Sequence, residues 1–319
     1  MIVVGGESLF DVFASGETPQ GLALDGRMGG SPLNVAIGLA RLGQPVDFAG
    51  TVGRDVAAER LMRALVDEGV GTESVTRVDA PTTIMLVGLD GHGVPTYTFI
   101  GERGADRQLR PEHLAAVPRG AEAYHVGSYS MVVDPTGSTL RILVEREAAR
   151  SVISYDPNVR LRVEPDAEKW RATLRWMLPR VRLLKASAED VELLFPGRSP
   201  ADFAAEALSA GAGLVVVTRG SRGAVGFTSR ASVEVPAAPV TVVDTVGAGD
   251  TFQAALLAWL SESGLLGGST ASASALAALE PEAITAALTF ASRAAAITCG
   301  RRGADMPRRA ELPGRVALP

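Results

Sequence analysis

The sequence predicts an α/β fold: a doubly wound, mainly parallel sheet with helices on both faces. Three observations point there. Short β-branched runs recur along the chain, each leads into a stretch of helical periodicity, and glycine or proline marks the joints. One pair of strand-like segments breaks this alternation and adds a small β-lid to the expectation.

In chain order, Ile2 to Val4 end at Gly5-Gly6 and read as a buried first strand entering a turn. Ser31-Pro32 opens a helix through NVAIGLARLG, with Gly43 as its C-cap. A strand and turn over 46–53 precede a helix over 57–69. The same unit recurs as strand 121–127 with a helix around 136–150, and as strand 151–157 with a helix around 166–178. Strand 181–187 leads into the helix AEDVELLF, and 213–220 is an apolar strand ending in a glycine-rich turn. The exception is TTIMLVGLD (82–90) and VPTYTFI (94–100) around Gly91-His92-Gly93, which reads as a hairpin. Together with residues near 11–27 it forms the expected lid, and lids exclude water from group transfer. The Ser/Ala/Gly-rich stretch 261–281 reads as a helix end followed by a surface loop.

Composition narrows the function classes. A net charge of −5 and a pI near 5.4 lack the basic footprint of a dedicated nucleic-acid binder. A single cysteine, Cys299, excludes an intrachain disulfide and a cysteine-rich zinc site, which fits a reducing cytoplasm. No run approaches the ~18 apolar residues of a membrane span, and MIVVGGE lacks the pattern of a signal peptide.

The chemistry is concentrated in VTVVDTVGAGDTFQAALLAWL (240–260). Its apolar run reads as a strand that turns through Gly247-Ala248-Gly249-Asp250 into a helix. Glycines at that turn let backbone amides converge at a helix N-terminus, where the dipole also favours negative charge. The result is an anion hole fit for a transferring phosphoryl group, with Asp250 beside it as acceptor of a hydroxyl proton. The plain alternative is that Asp250 only caps its helix. A cap, however, requires neither the flanking glycines nor Asp244 ahead of them.

DTVGAGDTF (244–252) resembles the C-terminal signature of the ribokinase-like, or phosphofructokinase-B, family of carbohydrate kinases. Gly29-Gly30-Ser31-Pro32-Leu33-Asn34 is similar to the family's N-terminal signature, and GGESLFDVF and AAAITCGRRGA match its opening and closing segments. The resemblance spans residues 1–319 as one kinase domain, with a lid from insertions at about 11–27 and 82–106. It implies ATP-dependent phosphorylation of a sugar hydroxyl, with Asp250 as base and Gly247, Ala248 and Gly249 as the anion hole. On the sugar side it implies Gly29, Gly30, Asn34 and the lid carboxylate Asp11. On the nucleotide side it implies Thr218, Gly220, Ser221 and Gly223, with Ser292 beside the purine. ATP brings Mg²⁺, which bridges its phosphates. Asp244 and the Val246 carbonyl match a monovalent-cation (K⁺) site of some relatives. Where many relatives carry N-x-x-E near the metal, this chain has Ser187 and Asp190, and the shorter Asp190 would reach Mg²⁺ through water.

DPNVR (156–160) resembles the D-x-N-x-R segment of fructokinases and 2-keto-3-deoxygluconate kinases, which sets Asn158 and Arg160 toward phosphate and sugar. The latter kinases usually carry a lid arginine two positions after an aromatic. Two after Phe99 stands Gly101, so that arginine is missing. Arg103, two residues further on, is its expected substitute, which places Phe99 and Arg103 with the sugar-side residues, and a neutral sugar such as fructose is the expected substrate. A 2-keto-3-deoxygluconate kinase, a ribokinase and an inactive sugar-binding regulator are the alternatives. An aromatic content of 5% disfavours a nucleoside acceptor, and no G-x-G-x-x-G follows the first strand to suit a dinucleotide. His92, His113 and His125 show no metal spacing, Cys299 reads as a buried small hydrophobe, and Arg301-Arg302 as a solvated helix end. A homodimer through lid strands follows from the resemblance.

Overall fold

The computed structural model describes residues 1–89, 95–267 and 274–314. The predicted hairpin tip at Gly91-His92-Gly93 and part of the 261–281 stretch lie outside the described residues. The strands are β1 (Ile2–Gly5), β2 (Leu9–Thr18), β3 (Gly21–Gly29), β4 (Val46–Val52), β5 (Val75–Arg77), β6 (Ile84–Leu89) and β7 (Pro95–Ile100). They continue as β8 (Ala123–Gly127), β9 (Val152–Asp156), β10 (Leu183–Ser187), β11 (Leu214–Thr218), β12 (Ala224–Phe227) and β13 (Ser232–Val235). The α-helices are α1 (Ser31–Arg41), α2 (Val56–Asp67), α3 (Thr136–Glu147), α4 (Ala167–Met177), α5 (Ala188–Leu194), α6 (Pro200–Ser209), α7 (Ala248–Glu262) and α8 (Pro281–Cys299).

Among the described residues the strands form two sheets. The larger has nine strands in the order β13-β12-β11-β10-β9-β8-β1-β4-β5, and only β12 and β13 run antiparallel to their neighbours. Its central strands are buried along their whole length, as a parallel sheet covered on both faces requires. Alternation distributes their side chains. Ile2 and Val4 enter one core with α1, α7 and α8, while Val3 enters a second core with α3, α4 and α6. This is the doubly wound arrangement expected.

The second sheet, β3-β2-β6-β7, consists of two antiparallel hairpins joined by parallel pairing of β2 with β6. Its register places Arg27, Asp11, Met85 and Phe99 in one row across all four strands, hence on one face. Asp55, the N-cap of α2, fixes the foot of β6 to the large sheet. Its Oδ1 accepts from the Ala58 amide at 2.8 Å and from Thr82 Oγ1 at 2.7 Å, and its Oδ2 from the Thr82 amide at 2.7 Å.

Two readings of the sequence change. The apolar run 240–246 is no strand: it crosses the end of the sheet as a loop, with Val242, Val243 and Val246 exposed. The edge beside β11 is already filled by β12 and β13, whose short alternating segments gave no clear signal. Cys299, expected to be buried, is half-exposed at the end of α8.

Burial raises the Asp55 pKa, but its hydrogen bonds from Thr82 and Ala58 outweigh that and hold it below the usual aspartate value. The stabilisation is therefore complete above the ordinary aspartate pKa and is lost as pH falls through the depressed folded value. Asp55→Ala is expected to cost about 1–2 kcal/mol in urea unfolding at pH 7, as loss of an N-cap does. The gap from wild type should close in acid; a gap that persists at low pH contradicts the assignment.

Candidate active site

The site forms where α1 crosses α7. Gly38 makes the crossing close: a Cβ there would stand 2.8 Å from Ala254 Cβ and 2.7 Å from Met306 Sδ. That approach sets the first turn of α1 against the first turn of α7. Ser31 Oγ donates to Asp250 Oδ1 at 2.6 Å, and Asn34 Nδ2 donates to Asp250 Oδ2 at 2.8 Å. All three residues are more than nine-tenths buried. The capping alternative fails, because the N-cap of α7 is Gly247 in the left-handed conformation and the Asp250 carboxylate points to α1. The Ala248 amide is taken by the Thr245 carbonyl at 3.2 Å. The amides of Gly249 and Asp250 have no backbone acceptor among the described residues, which leaves them at the head of the helix for an anion.

Gly30, with φ 107°, enters α1 in a conformation open to glycine, and a Cβ there would stand 2.7 Å from the Glu7 carbonyl. At Gly29 a Cβ would stand 2.4 Å from Asp11 Oδ2, so the glycine pair lies directly against the lid carboxylate. Burial pushes the Asp11 pKa up to about 6; Arg160 opposes the rise and Asp250 adds to it. Asp11, Arg160 and Asp250 therefore share one electrostatic neighbourhood. Asn158 turns the chain with φ 40° between β9 and Arg160. Phe99 stands edge-on to Tyr129 with ring centroids 6.2 Å apart. The guanidinium that covers Phe99 is that of Arg107, 4.6 Å from the ring centroid, and its Nε and Nη2 are buried without a partner. Arg103 instead lines a separate recess with Arg110 and His113.

On the other side of Gly249 opens a cleft of about 490 Å³, lined by Thr218, Gly220, Ser221, Gly223 and Ser292 together with Ala248 and Gly249. Its other walls are apolar, with Pro239, Val240, Val242, Phe252, Ala295, Ala296 and Cys299. A flat heterocycle fits such walls, and glycines and hydroxyls suit phosphates and ribose. Val240, Val242 and Thr245 of the 240–246 run, with Cys299, thus belong to this cleft. Ser292 also shapes it, since its Oγ accepts from the Ala238 amide at 3.0 Å.

Other expected residues serve the scaffold. Asp190 and Ser187 form a capping box: Asp190 Oδ2 accepts from the Ser187 amide and hydroxyl at 2.8 and 2.6 Å, and Oδ1 from the Val159 amide at 2.7 Å. Asp244 joins two loops, accepting from Val246 N at 3.1 Å and Gly303 N at 2.8 Å. No group of three or more His, Cys, Asp or Glu is placed to hold a metal ion among the described residues. Asp190 and Asp244 are oxygen donors, the kind a hard divalent cation takes. His125 is buried and its pKa is pulled down to about 3, by burial first and Lys185 second, so it is neutral and structural. Sequence reasoning missed Ser31, Arg107 and a buried pair, Lys185 with Asp156, joined at 2.6 Å. Ser31 and Asp156 lay inside quoted motifs, GGSPLN and DPNVR, without being singled out, while nothing local marked Arg107 and Lys185.

The pfkB family carbohydrate kinase profile matches residues 2–310. A fructokinase from Rhizobium leguminosarum bv. trifolii is 37% identical over 266 residues, covering 83% of this chain and 81% of that protein. A fructokinase from Klebsiella pneumoniae is 34% identical over 273 residues, covering 83% and 85%. Among solved structures, the ATP-bound fructokinase from Xylella fastidiosa superposes with a TM-score of 0.85 at 28% identity, covering 97% of this chain and 96% of that one. A double mutant of the Vibrio cholerae O395 fructokinase, bound to fructose, ADP and potassium, gives 0.76 at 26% identity, covering 95% and 93%. With a carboxylate held between two helix N-termini and a cleft beside it, the chain belongs to the pfkB family of carbohydrate kinases and is an ATP-dependent sugar kinase.

Proposed function

We propose that the chain is a fructokinase, converting fructose and ATP to fructose 6-phosphate and ADP. The observation that carries the reading is the position of Asp250, whose carboxylate meets α1 while the free amides beside it face the nucleotide cleft. One carboxylate oxygen takes the proton of the sugar's primary hydroxyl as that oxygen bonds the γ-phosphorus. The bond from phosphorus to the bridging oxygen breaks, and its electron pair leaves with ADP. Ser31 and Asn34 orient the base, and the Gly249 and Asp250 amides stabilise charge on the transferring group. Asp11, Gly29, Gly30, Asn34, Asn158 and Arg160 form the sugar side. Thr218, Gly220, Ser221, Gly223 and Ser292 hold the nucleotide. Asp190 would hold, through water, a Mg²⁺ carried on the phosphates, which would neutralise part of their charge. Asp244 and the Val246 carbonyl would hold a potassium ion.

Fructose is supported by the relatives' names, and by Gly101 at the place of an acid-binding lid arginine. A 2-keto-3-deoxy sugar acid is the second reading, favoured by Arg107 over Phe99 and by Arg160 near Asp11. The small sheet is the lid of a single kinase domain. Its exposed Leu22, Leu24, Tyr97 and Ile100 suit pairing of two copies through the lid.

Four outcomes test this reading. In an ADP-release assay, fructose should exceed ribose, 2-keto-3-deoxygluconate and adenosine in kcat/KM; preference for the keto acid replaces the first reading by the second. Asp250→Asn should lower kcat about 10²–10⁴-fold while fructose binding persists, the range expected for loss of a general base. Asp11 must be ionised to accept two sugar hydroxyls, so kcat/KM for fructose should fall as pH drops through about 6. In Asp11→Asn that inflection should vanish, and Gly29→Ala, which displaces Asp11, should raise the sugar KM with less effect on kcat.

A further inference from the structure

We propose that Lys185 is a further member of the anion hole, a fixed positive charge beneath Gly249 that acts on the transferring phosphoryl group, with Asp156 as the residue that positions it. The inference rests on the reading of Gly249 and Asp250 as the phosphoryl site.

Lys185 sits near the C-terminal end of β10 and is 4% exposed. Its Nζ donates to Asp156 Oδ2 at 2.6 Å, and it stands 3.3 Å from the place a Gly249 Cβ would occupy. The ammonium therefore abuts the first turn of α7. Burial drives its pKa down, but Asp156 beside it outweighs that and holds the pKa above the ordinary lysine value, so the group is charged at neutral pH.

Stability alone does not explain the arrangement. A buried ion pair commonly does no better than an apolar pair of the same size. The pair is also incompletely satisfied, since Asp156 Oδ1 is buried without a partner. The position is adverse as well, because a cation at the start of a helix meets the positive end of its dipole. An arriving phosphoryl group reverses that balance. Helix dipole, two free amides and ammonium then act together on one anion in a site with little water, where such charges are most effective. Glycine at 249 leaves nothing between the ammonium and the amides. Asp156, itself on β9, keeps Lys185 from swinging toward the base, Asp250, which also acts on it electrostatically.

The test compares wild type with Lys185→Met and with Lys185→Met/Asp156→Asn; the double variant leaves no unpaired buried charge and so keeps the fold even if the single one unfolds. Steady-state kinetics with ATP and fructose, ADP binding by calorimetry, and binding of ADP plus aluminium fluoride are measured on each folded protein. The double variant is expected to lose about 10²–10³-fold in kcat, the scale of removing one oxyanion donor. Fructose KM and ADP affinity should stay within about threefold, while the aluminium fluoride complex weakens in step with kcat. A double variant with wild-type kcat and wild-type binding of that complex shows Lys185 to be a structural counter-ion and overturns the proposal. If wild type phosphorylates another sugar, the fructose reading fails and the comparison is made on that sugar. If wild type turns over no sugar, binding of ADP plus aluminium fluoride decides the role of Lys185.

Discussion

The contact of α1 with α7 is the constraint on which the site depends. Asp250 belongs to one helix, and the groups that orient it, Ser31 and Asn34, belong to the other. Hydrogen bonds of 2.6 and 2.8 Å tolerate little displacement, so the distance between the two helices must be fixed by packing. Gly38 against Ala254 and Met306 fixes it, and the fully buried Leu256, Leu257 and Leu260 anchor α7 in the core behind. Hydrophobic packing thus sets the geometry of a carboxylate that lies four to ten residues along α7 from the apolar contacts, Ala254 to Leu260, that hold the helix.

The lid is tied to the large sheet by apolar contacts of Leu9, Phe10 and Met28 with the two cores and by a set of polar bonds. Beyond the Asp55–Thr82 bonds, Thr83 Oγ1 donates to Asp106, whose Oδ2 accepts from Tyr129 Oη at 2.8 Å. Burial raises the pKa of Asp106, and it also pushes that of nearby Glu7 up to about 7. Directional bonds at the foot of the lid keep Asp11 near Asp250 and Phe99 against Tyr129 while the distal strands stay exposed. On its other edge the lid reaches the nucleotide side. The Arg27 guanidinium lies against Gly303, whose amide bonds Asp244, so sugar-side and nucleotide-side loops are adjacent.

Charge in the site is concentrated rather than neutralised pair by pair. Asp156, Asp190 and Asp250 all act on Lys185, and the free helix amides add positive potential beside it. Burial, with only partial relief from Lys185, pushes Asp156 up to about 6. Such an arrangement is poorly optimised for the empty protein and well suited to an incoming polyanion, the usual mark of a functional site.

The strand–helix alternation was legible in the sequence, because β-branched runs and helical periodicity are local consequences of side-chain direction. So was the core of the site, since DTVGAGDTF and GGSPLN each hold their groups within a few residues. The residues expected on the nucleotide side, within 218–223 and at Ser292, line one cleft. The sequence left open whether Asp250 capped its helix or faced α1, and it suggested a strand at 240–246. Tertiary structure decided both, because a free edge of the sheet and a hydrogen-bonding partner are supplied by distant segments. It alone revealed Lys185 against Gly249 and Arg107 against Phe99. An isolated lysine in a strand carries no local pattern, and its role appears only when folding brings it beneath a helix that begins 63 positions later.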